Sequence, residues 1–270
     1  MTITEWLASA STQLTAAEIP SAKLDAEVLL SHILKKDRGW IIGHGDTSLE
    51  KSHLTELNRA LTRRTNRTPL AYITRHKEFY GLDLYVDERV LCPRTETESA
   101  VEQIIKLAPT NASVLDMGTG SGAIAIAIKK HRGDLDVSGS EVSVEALSVA
   151  KKNADSILGK NAITLLESDL FDNITAQYDI VVANLPYVTK SFELLPEVAQ
   201  EPDVALFGGD DDGLHLYRKF FEALPKHLAS PGLVYIESDP WQQEELIKLA
   251  KRAGLEKQFE DYFILGFGRV

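Results

Sequence analysis

The chain has 270 residues, 44% hydrophobic and 26% charged, a globular composition with room for one large domain or a medium one plus a small one. A formal charge of −11 argues against a surface built for tight, nonspecific contact with nucleic acid. The single cysteine, Cys92, excludes an internal disulfide and a cysteine-based metal site; the seven histidines show no HxxxH or HExxH spacing, and no apolar run is long enough to span a membrane.

The opening MTITEWLASASTQL lacks a basic start and a long apolar core, so no secretory signal is read there and a cytoplasmic location is expected. Thr2 and Glu5 have capping-box spacing, with Trp6, Leu7 and Ala10 on one face beyond them. Leu24, Val28, Leu29 and Ile33 mark a second helix, and Leu54, Leu57 and Leu61 a third after a start signal at Thr47–Glu50. A small helical bundle over residues 1–72 is the economical reading. Its most basic stretch, Lys51 to Arg75, reads as a solvated helix face. Trp6, Trp40 and Trp241 read as core or domain-packing residues.

Residues 73–92 change character: Phe79, Tyr80 and Gly81 precede an alternation of Leu82, Leu84 and Val86, which predicts a β-hairpin or extended linker. Residues 93–270 repeat strand, turn and helix. Strands are predicted at SVLDMG (113–118), DVSGSE (136–141), AITLLESD (162–169), YDIVVANLP (178–186) and GLVYIES (232–238). Helices are predicted at 123–131, 144–154, 214–228 and 243–254. The fold class is therefore α/β, a mostly parallel Rossmann-like sheet with helices on both faces, preceded by the helical bundle. Ligands in such sheets bind beyond the carboxyl ends of the strands.

DMGTGSGA (116–123) follows a strand and opens a helix. Its glycines let a ligand approach main-chain N–H groups at a helix N-terminus, and Gly118, Gly120 and Ala123 also satisfy the looser dinucleotide pattern. Glu141, ending the next strand, is placed to accept both ribose hydroxyls of an adenosine. Asp169, ending the third, is placed to accept from an adenine amino group. The loop says adenosine without saying which cofactor.

Asn184, Leu185, Pro186 and Tyr187 close the fourth strand. Proline holds the residue before it in extended backbone and offers no N–H, so the strand stops and the Leu185 carbonyl is left for a ligand. That carbonyl and the Asn184 side-chain oxygen make two neighbouring acceptors, which suit an NH2 group with two donors. Gripping both N–H bonds of an amide or aromatic amine favours a pyramidal nitrogen and stabilises the positive charge that develops on it during reaction. Tyr187 can pack on the planar group carrying that nitrogen. A sulfonium methyl is the electrophile that suits an adenosine site without a metal, so S-adenosyl-L-methionine, leaving S-adenosyl-L-homocysteine, is preferred to a nicotinamide.

These residues resemble those of class I methyltransferases acting on amino or amide nitrogens, and more narrowly the PrmC/HemK family, the N5-glutamine methyltransferases of peptide chain release factors. The resemblance runs over nearly the whole chain: the helical start, the hairpin, PRTETE (93–98), VLDMGTGSGAIAIAI (114–128), EPDVALFGGDDDGL (201–214) and WQQ (241–243). It implies that Gly118, Thr119, Gly120, Ser121 and Gly122 line the methionine and ribose part of the cofactor, with Glu141 on the ribose and Leu170, after Asp169, near the adenine. Asn184 would serve cofactor and substrate, and Asn184 to Tyr187 would hold the glutamine amide. The N-terminal helices would dock a class 1 release factor, with no direct nucleic-acid or membrane contact and a monomeric enzyme expected.

Two departures carry expectations of their own. Leu185 stands where the family usually has a proline, so the loop is expected to be less preorganised. The last segment, DYFILGFGRV, differs from the family's Asp-x-x-Gly-x-x-Arg ending and leaves the closing hairpin of the sheet unassigned. The leucine also raises two alternatives: a ribosomal RNA adenine-N6 methyltransferase, and a non-catalytic release-factor or ribosome adaptor. Arg94 and Glu96 read equally as lid residues or as a linker salt bridge, and Glu237 equally as a cleft carboxylate or as a capping or core-edge residue.

Overall fold

The computed structural model describes residues 1–269. The chain divides into two compact units, Met1–Arg75 with Leu194–Gln200 forming one and the remainder the other. The division falls just after Arg75, so the hairpin expected as a linker of its own lies inside the second unit, and a short return segment joins the first.

The first unit contains α1 (Ile3–Ala16), α2 (Ala22–Leu34), α3 (Arg38–Gly43), α4 (Lys51–Thr65) and α5 (Leu70–Thr74). The capping box closes the N-terminus of α1 reciprocally: the Glu5 N–H donates to Thr2 Oγ1 at 3.2 Å, and the Thr2 N–H donates to the Glu5 carboxylate at 2.8 Å. Ile3, Trp6, Ala10 and Leu14 recur at helical spacing and bury against Leu29 and Leu30 of α2 and Leu57 and Leu61 of α4. The basic stretch is not uniformly solvated. Arg64 is buried, and it donates to Asp25 at 2.7 Å and to Glu197 at 2.9 Å. Glu197, which also accepts from Arg67 at 3.0 Å, ties the segment Leu194–Gln200 into this unit. Burial would raise the Glu197 carboxyl, but its two arginine partners hold it below the ordinary range.

The second unit opens with a hairpin of β1 (Lys77–Phe79) and β2 (Leu82–Leu84), followed by α6 (Glu98–Leu107). Then come β3 (Ser113–Met117), α7 (Ala123–His131), β4 (Asp136–Glu141), α8 (Val144–Ile157), β5 (Thr164–Glu167) and β6 (Tyr178–Ala183). The chain continues through α9 (Asp203–Leu206), α10 (His215–Ala223), β7 (Leu228–Glu237), α11 (Gln243–Arg252), β8 (Leu255–Asp261) and β9 (Ile264–Arg269). The seven-stranded sheet runs β5-β4-β3-β6-β7-β9-β8, with β9 antiparallel to both its neighbours and the other pairs parallel.

Alternation along the central strands fills two cores. Leu115, Met117, Val181 and Ala183 face Tyr217 and Phe220 of α10 and Leu246 of α11. Val114, Ile180 and Val182 face Val101 and Ile104 of α6 and Ile124 and Ile128 of α7. The final segment does close the sheet: β8 and β9 pair as a hairpin, and a Cβ at Gly266 would lie 2.9 Å from the Tyr235 ring, so only glycine fits that crossing. Trp6 is buried as expected, whereas Trp241 is 60% exposed and packs no core.

The chain order reverses at β3, which has β4 on one side and β6 on the other. Register aligns Met117 with Ser140 and with Ala183, so Gly118, Glu141 and Asn184 leave the same edge together. That edge is the switch-point crevice where doubly wound sheets bind ligands.

Candidate active site

The glycine loop is anchored from below. The Gly118 and Thr119 N–H groups both donate to the Ser140 carbonyl, at 2.8 and 2.9 Å. Next, the Gly120 N–H donates to Glu141 Oε2 and the Ser143 N–H to Oε1, each at 3.0 Å. Each Glu141 oxygen thus keeps a lone pair for a further donor. Gly118 and Gly120 have φ of 73° and 55°, a region that costs an L-residue steric strain. A Cβ at Gly120 would meet nothing closer than the Gly118 carbonyl at 3.9 Å, so the face of the loop is open. Gly122 differs, since a Cβ there would lie 2.8 Å from Ile126 Cδ1 and 3.3 Å from Ala150; its smallness serves helix packing.

Behind the loop, Asp116 is fully buried. Its Oδ2 accepts from the Thr119 hydroxyl at 2.5 Å and the Ala125 N–H at 3.1 Å, while Oδ1 has no partner among the described residues. Burial, with the charge of Glu141 adding to it, outweighs those hydrogen bonds and pushes the carboxyl up to about 7.

A cavity of about 270 Å³ lies over this edge, with Gly118, Gly120, Glu141, Asp169, Leu170 and Asn184 among its walls. Leu170 is held at φ 48°, an uncommon conformation for leucine that marks the wall as over-determined by its surroundings. A smaller cavity of about 60 Å³ is lined by Thr119, Ser121, Arg94 and Thr97 and shares Gly118, Gly120 and Asn184 with the first. Of the residues assigned to cofactor or substrate in the sequence, Gly122 and Tyr187 line neither cavity and the others line one or both; Glu96 and Glu237 line neither. Arg89, Leu91, Val204, Ala205 and Leu216 also form walls without having been singled out. Arg89 is fixed by Asp87, to whose carboxylate it donates at 2.8 and 2.6 Å. Burial would raise that carboxyl, yet the Arg89 bonds bring it to about 2. An Asp-x-Arg spacing in a loop was the only local signal available for it.

The segment closing β6 is held from three sides. Asn184 Nδ2 donates to Thr97 Oγ1 at 3.3 Å, and the Thr97 hydroxyl donates to Glu237 Oε2 at 2.5 Å. The Tyr187 hydroxyl donates to Glu237 Oε1 at 3.3 Å, and the Tyr187 carbonyl accepts from Gln242 Nε2 at 2.9 Å. Burial raises the Tyr187 phenol well above its usual range, and neighbouring Glu237 raises it further. Glu237 itself is 3% exposed, and burial brings its carboxyl to about 7 against the bonds from Thr97 and Tyr187, with Glu96 contributing repulsion. Glu237 is therefore a buried carboxylate under the site rather than a cap. Arg94 donates to the buried Glu201 at 2.9 Å, which places it in a salt bridge.

Leu185, expected to loosen this loop, makes holding contacts of its own. Its side chain is buried in the core beneath Gly118, and its N–H, which a proline would lack, donates to the Tyr217 hydroxyl at 3.3 Å. Tyr217, fully buried on α10, donates onward to the Glu237 carbonyl. The leucine exchanges a fixed φ for a buried hydrogen bond.

A glycine loop after the first strand of a reversed α/β sheet, an acidic residue ending the second and an Asn-x-Pro-Tyr turn ending the fourth define a class I methyltransferase unit. Solved structures bear out the fold: a methyltransferase from Pyrococcus furiosus aligns over 82% of this chain and 99% of its own with a TM-score of 0.55 at 17% identity. A ribosomal protein L11 methylase from Lactobacillus delbrueckii subsp. bulgaricus aligns over 65% and 80% with a TM-score of 0.50 at 21% identity. Residues 5–74 match the PrmC N-terminal domain, and residues 96–201 match the methyltransferase small domain. The release factor glutamine methyltransferase of Escherichia coli (strain K12) is 35% identical over 252 residues, covering 91% of this chain and 88% of that protein. The protein of the same name from Buchnera aphidicola subsp. Baizongia pistaciae is 36% identical over 252 residues, covering 92% and 90%. This chain belongs to the release factor glutamine methyltransferase family.

Proposed function

We propose that this protein methylates the N5 amide nitrogen of the glutamine in the Gly-Gly-Gln motif of a class 1 peptide chain release factor, with S-adenosyl-L-methionine as donor. The observation that carries the reading is the orientation of Asn184. Its Nδ2 is committed to Thr97, so its Oδ1 is the free end of the amide, on a residue that lines both cavities.

The cofactor's chemistry fits the residues present. Gly120 leaves an open backbone face, each Glu141 oxygen retains a lone pair for a ribose hydroxyl, and Leu170 supplies an apolar wall with Asp169 at its rim for an adenine. When bound, S-adenosyl-L-methionine supplies a methyl group made electrophilic by a positive sulfur. Asn184 Oδ1 and the Leu185 carbonyl accept the two N–H bonds of the glutamine amide, turning its nitrogen lone pair away from conjugation with the carbonyl. Both acceptors gain strength as positive charge grows on that nitrogen, so they stabilise the transition state more than the ground state. Pro186 keeps the Leu185 carbonyl out of any ladder, and Tyr187, its hydroxyl tied to Glu237, gives the amide plane a fixed ring to pack on. The helical unit docks the release factor.

The test is methyl transfer from labelled S-adenosyl-L-methionine to a purified release factor and to a variant whose Gly-Gly-Gln glutamine is alanine. Label on the first alone is expected. Equal label on the second would exclude the reading.

A further inference from the structure

Thr97 and Glu237 lie 140 residues apart in sequence, yet they meet under Asn184 with the Thr97 side chain almost fully buried. A threonine hydroxyl has one proton. At 2.5 Å from Glu237 Oε2, with an ionised carboxylate that can only accept, that proton belongs to the Thr97–Glu237 bond. Thr97 Oγ1 then offers Asn184 only lone pairs, so the amide end facing it must be the NH2 group. Glu237 draws on the Asn184 amide directly as well, which favours the same end.

Protonating Glu237 reverses this logic. A carboxylic acid can donate to Thr97 Oγ1, which frees the threonine proton to point at Asn184. The amide is then satisfied by turning its oxygen inward and its NH2 toward the cleft. An NH2 group there meets the NH2 group of the substrate, donor against donor.

We infer that Glu237 is a positioning residue which, through the Thr97 hydroxyl, fixes the Asn184 amide with its oxygen toward the substrate. The inference rests on the reading that Asn184 accepts the glutamine amide. Tyr187 reports to the same carboxylate from the other oxygen, so one buried charge orients both side chains. The titratable groups around Glu237 are Glu96 on the turn before α6, Tyr187 after β6, Tyr217 on α10 and Asp239 after β7; Arg94 is the nearby cation acting on Tyr187. Glu96 and burial favour the protonated acid while Thr97 and Tyr187 favour the anion, which leaves the balance near neutrality.

The experiment compares Thr97→Val, which keeps shape and loses the hydroxyl, with Thr97→Ser, which keeps the hydroxyl, and with Glu237→Gln. Thr97→Val is expected to lower kcat about ten-fold with KM for the release factor little changed, the fold-loss of one orienting hydrogen bond. Thr97→Ser is expected to restore most of it. Wild-type kcat is expected to fall as pH drops through about 7, where Glu237 gains its proton, and this limb should vanish in Glu237→Gln. A readout independent of turnover is the Asn184 side-chain NH2 resonance in the cofactor-free protein. It should move with a midpoint near that pH in wild type, and Thr97→Val should shrink the transition to the part that the direct Glu237 contact carries. Asn184→Ala separates the two ideas: full activity there overturns the acceptor reading itself. An impaired Asn184→Ala beside a Thr97→Val enzyme with wild-type kcat, pH profile and amide resonance overturns the positioning role alone.

Discussion

Replacing Tyr217 by phenylalanine removes a hydroxyl that serves three buried main-chain groups, one of them the Ala183 carbonyl at 3.3 Å. It accepts the Leu185 N–H at 3.3 Å and donates to the Glu237 carbonyl, on a side chain with no solvent exposure. No water can take its place, so the variant strands a buried N–H at a cost of about 1–3 kcal/mol. A contact of 3.3 Å sits at the long edge of N–H···O geometry, which puts the Leu185 share near the lower end, about 1 kcal/mol. Leu185→Pro deletes that N–H and is costly alone, because the leucine side chain fills the core beneath Gly118. In the proline background, however, Tyr217→Phe no longer strands the amide. Urea unfolding of all four corners of the cycle, followed by circular dichroism, should give a coupling of about 1 kcal/mol between the two substitutions. Additivity to within about 0.3 kcal/mol would show that Tyr217 does not anchor the loop through this amide, and the physical account of the leucine would fall.

Other consequences follow from the same structure. Gly120→Val should abolish cofactor binding in calorimetry, since its side chain would enter the open face of the loop, and the φ of 55° adds about 1–2 kcal/mol of strain seen in thermal unfolding. Glu141→Ala should weaken S-adenosyl-L-methionine binding by roughly ten-fold or more, the loss of charge-assisted bonds, measured by the same titration. Asn184→Ala should lower kcat by about 10²–10³, as removal of one preorganised group aimed at developing charge does elsewhere, with release-factor affinity from a binding assay little altered. In the helical unit, Arg64→Ala leaves the buried Asp25 without its ion partner and should destabilise that unit by about 3–5 kcal/mol in denaturant unfolding.

What the sequence could reveal was local. The capping box at Thr2 and Glu5, the glycine turn after SVLDM and the end of β6 ahead of Pro186 are each set by neighbouring residues, and each is found where its pattern places it. The edge they share follows from parallel strands in register, so Gly118, Glu141 and Asn184 meet as α/β topology requires. Long-range pairing left no such trace. Thr97 reaches Glu237 over 140 residues and Arg64 reaches Glu197 over 133, and neither pair has any periodicity or spacing that announces it. Arg64 sat in a basic run that looked solvated, but Asp25 on another helix and Glu197 on the return segment pair with its buried guanidinium. Trp241 looked like core by residue type alone, but it follows Pro240 on a capped turn and faces out. Leu185 was legible only as a missing ring, because the hydroxyl that receives its amide lies on α10.

The proposed chemistry depends on an asparagine oxygen that grips an unreactive amide nitrogen and turns it toward a methyl donor. Mass spectrometry of the Gly-Gly-Gln peptide, after release factor and S-adenosyl-L-methionine are incubated with wild type or Asn184→Ala, measures this directly. One methyl group on the glutamine side chain with wild type, and almost none with the variant at matched time and cofactor saturation, is the predicted result. Equal methylation by both enzymes, or a methyl group placed on any other residue, would contradict it.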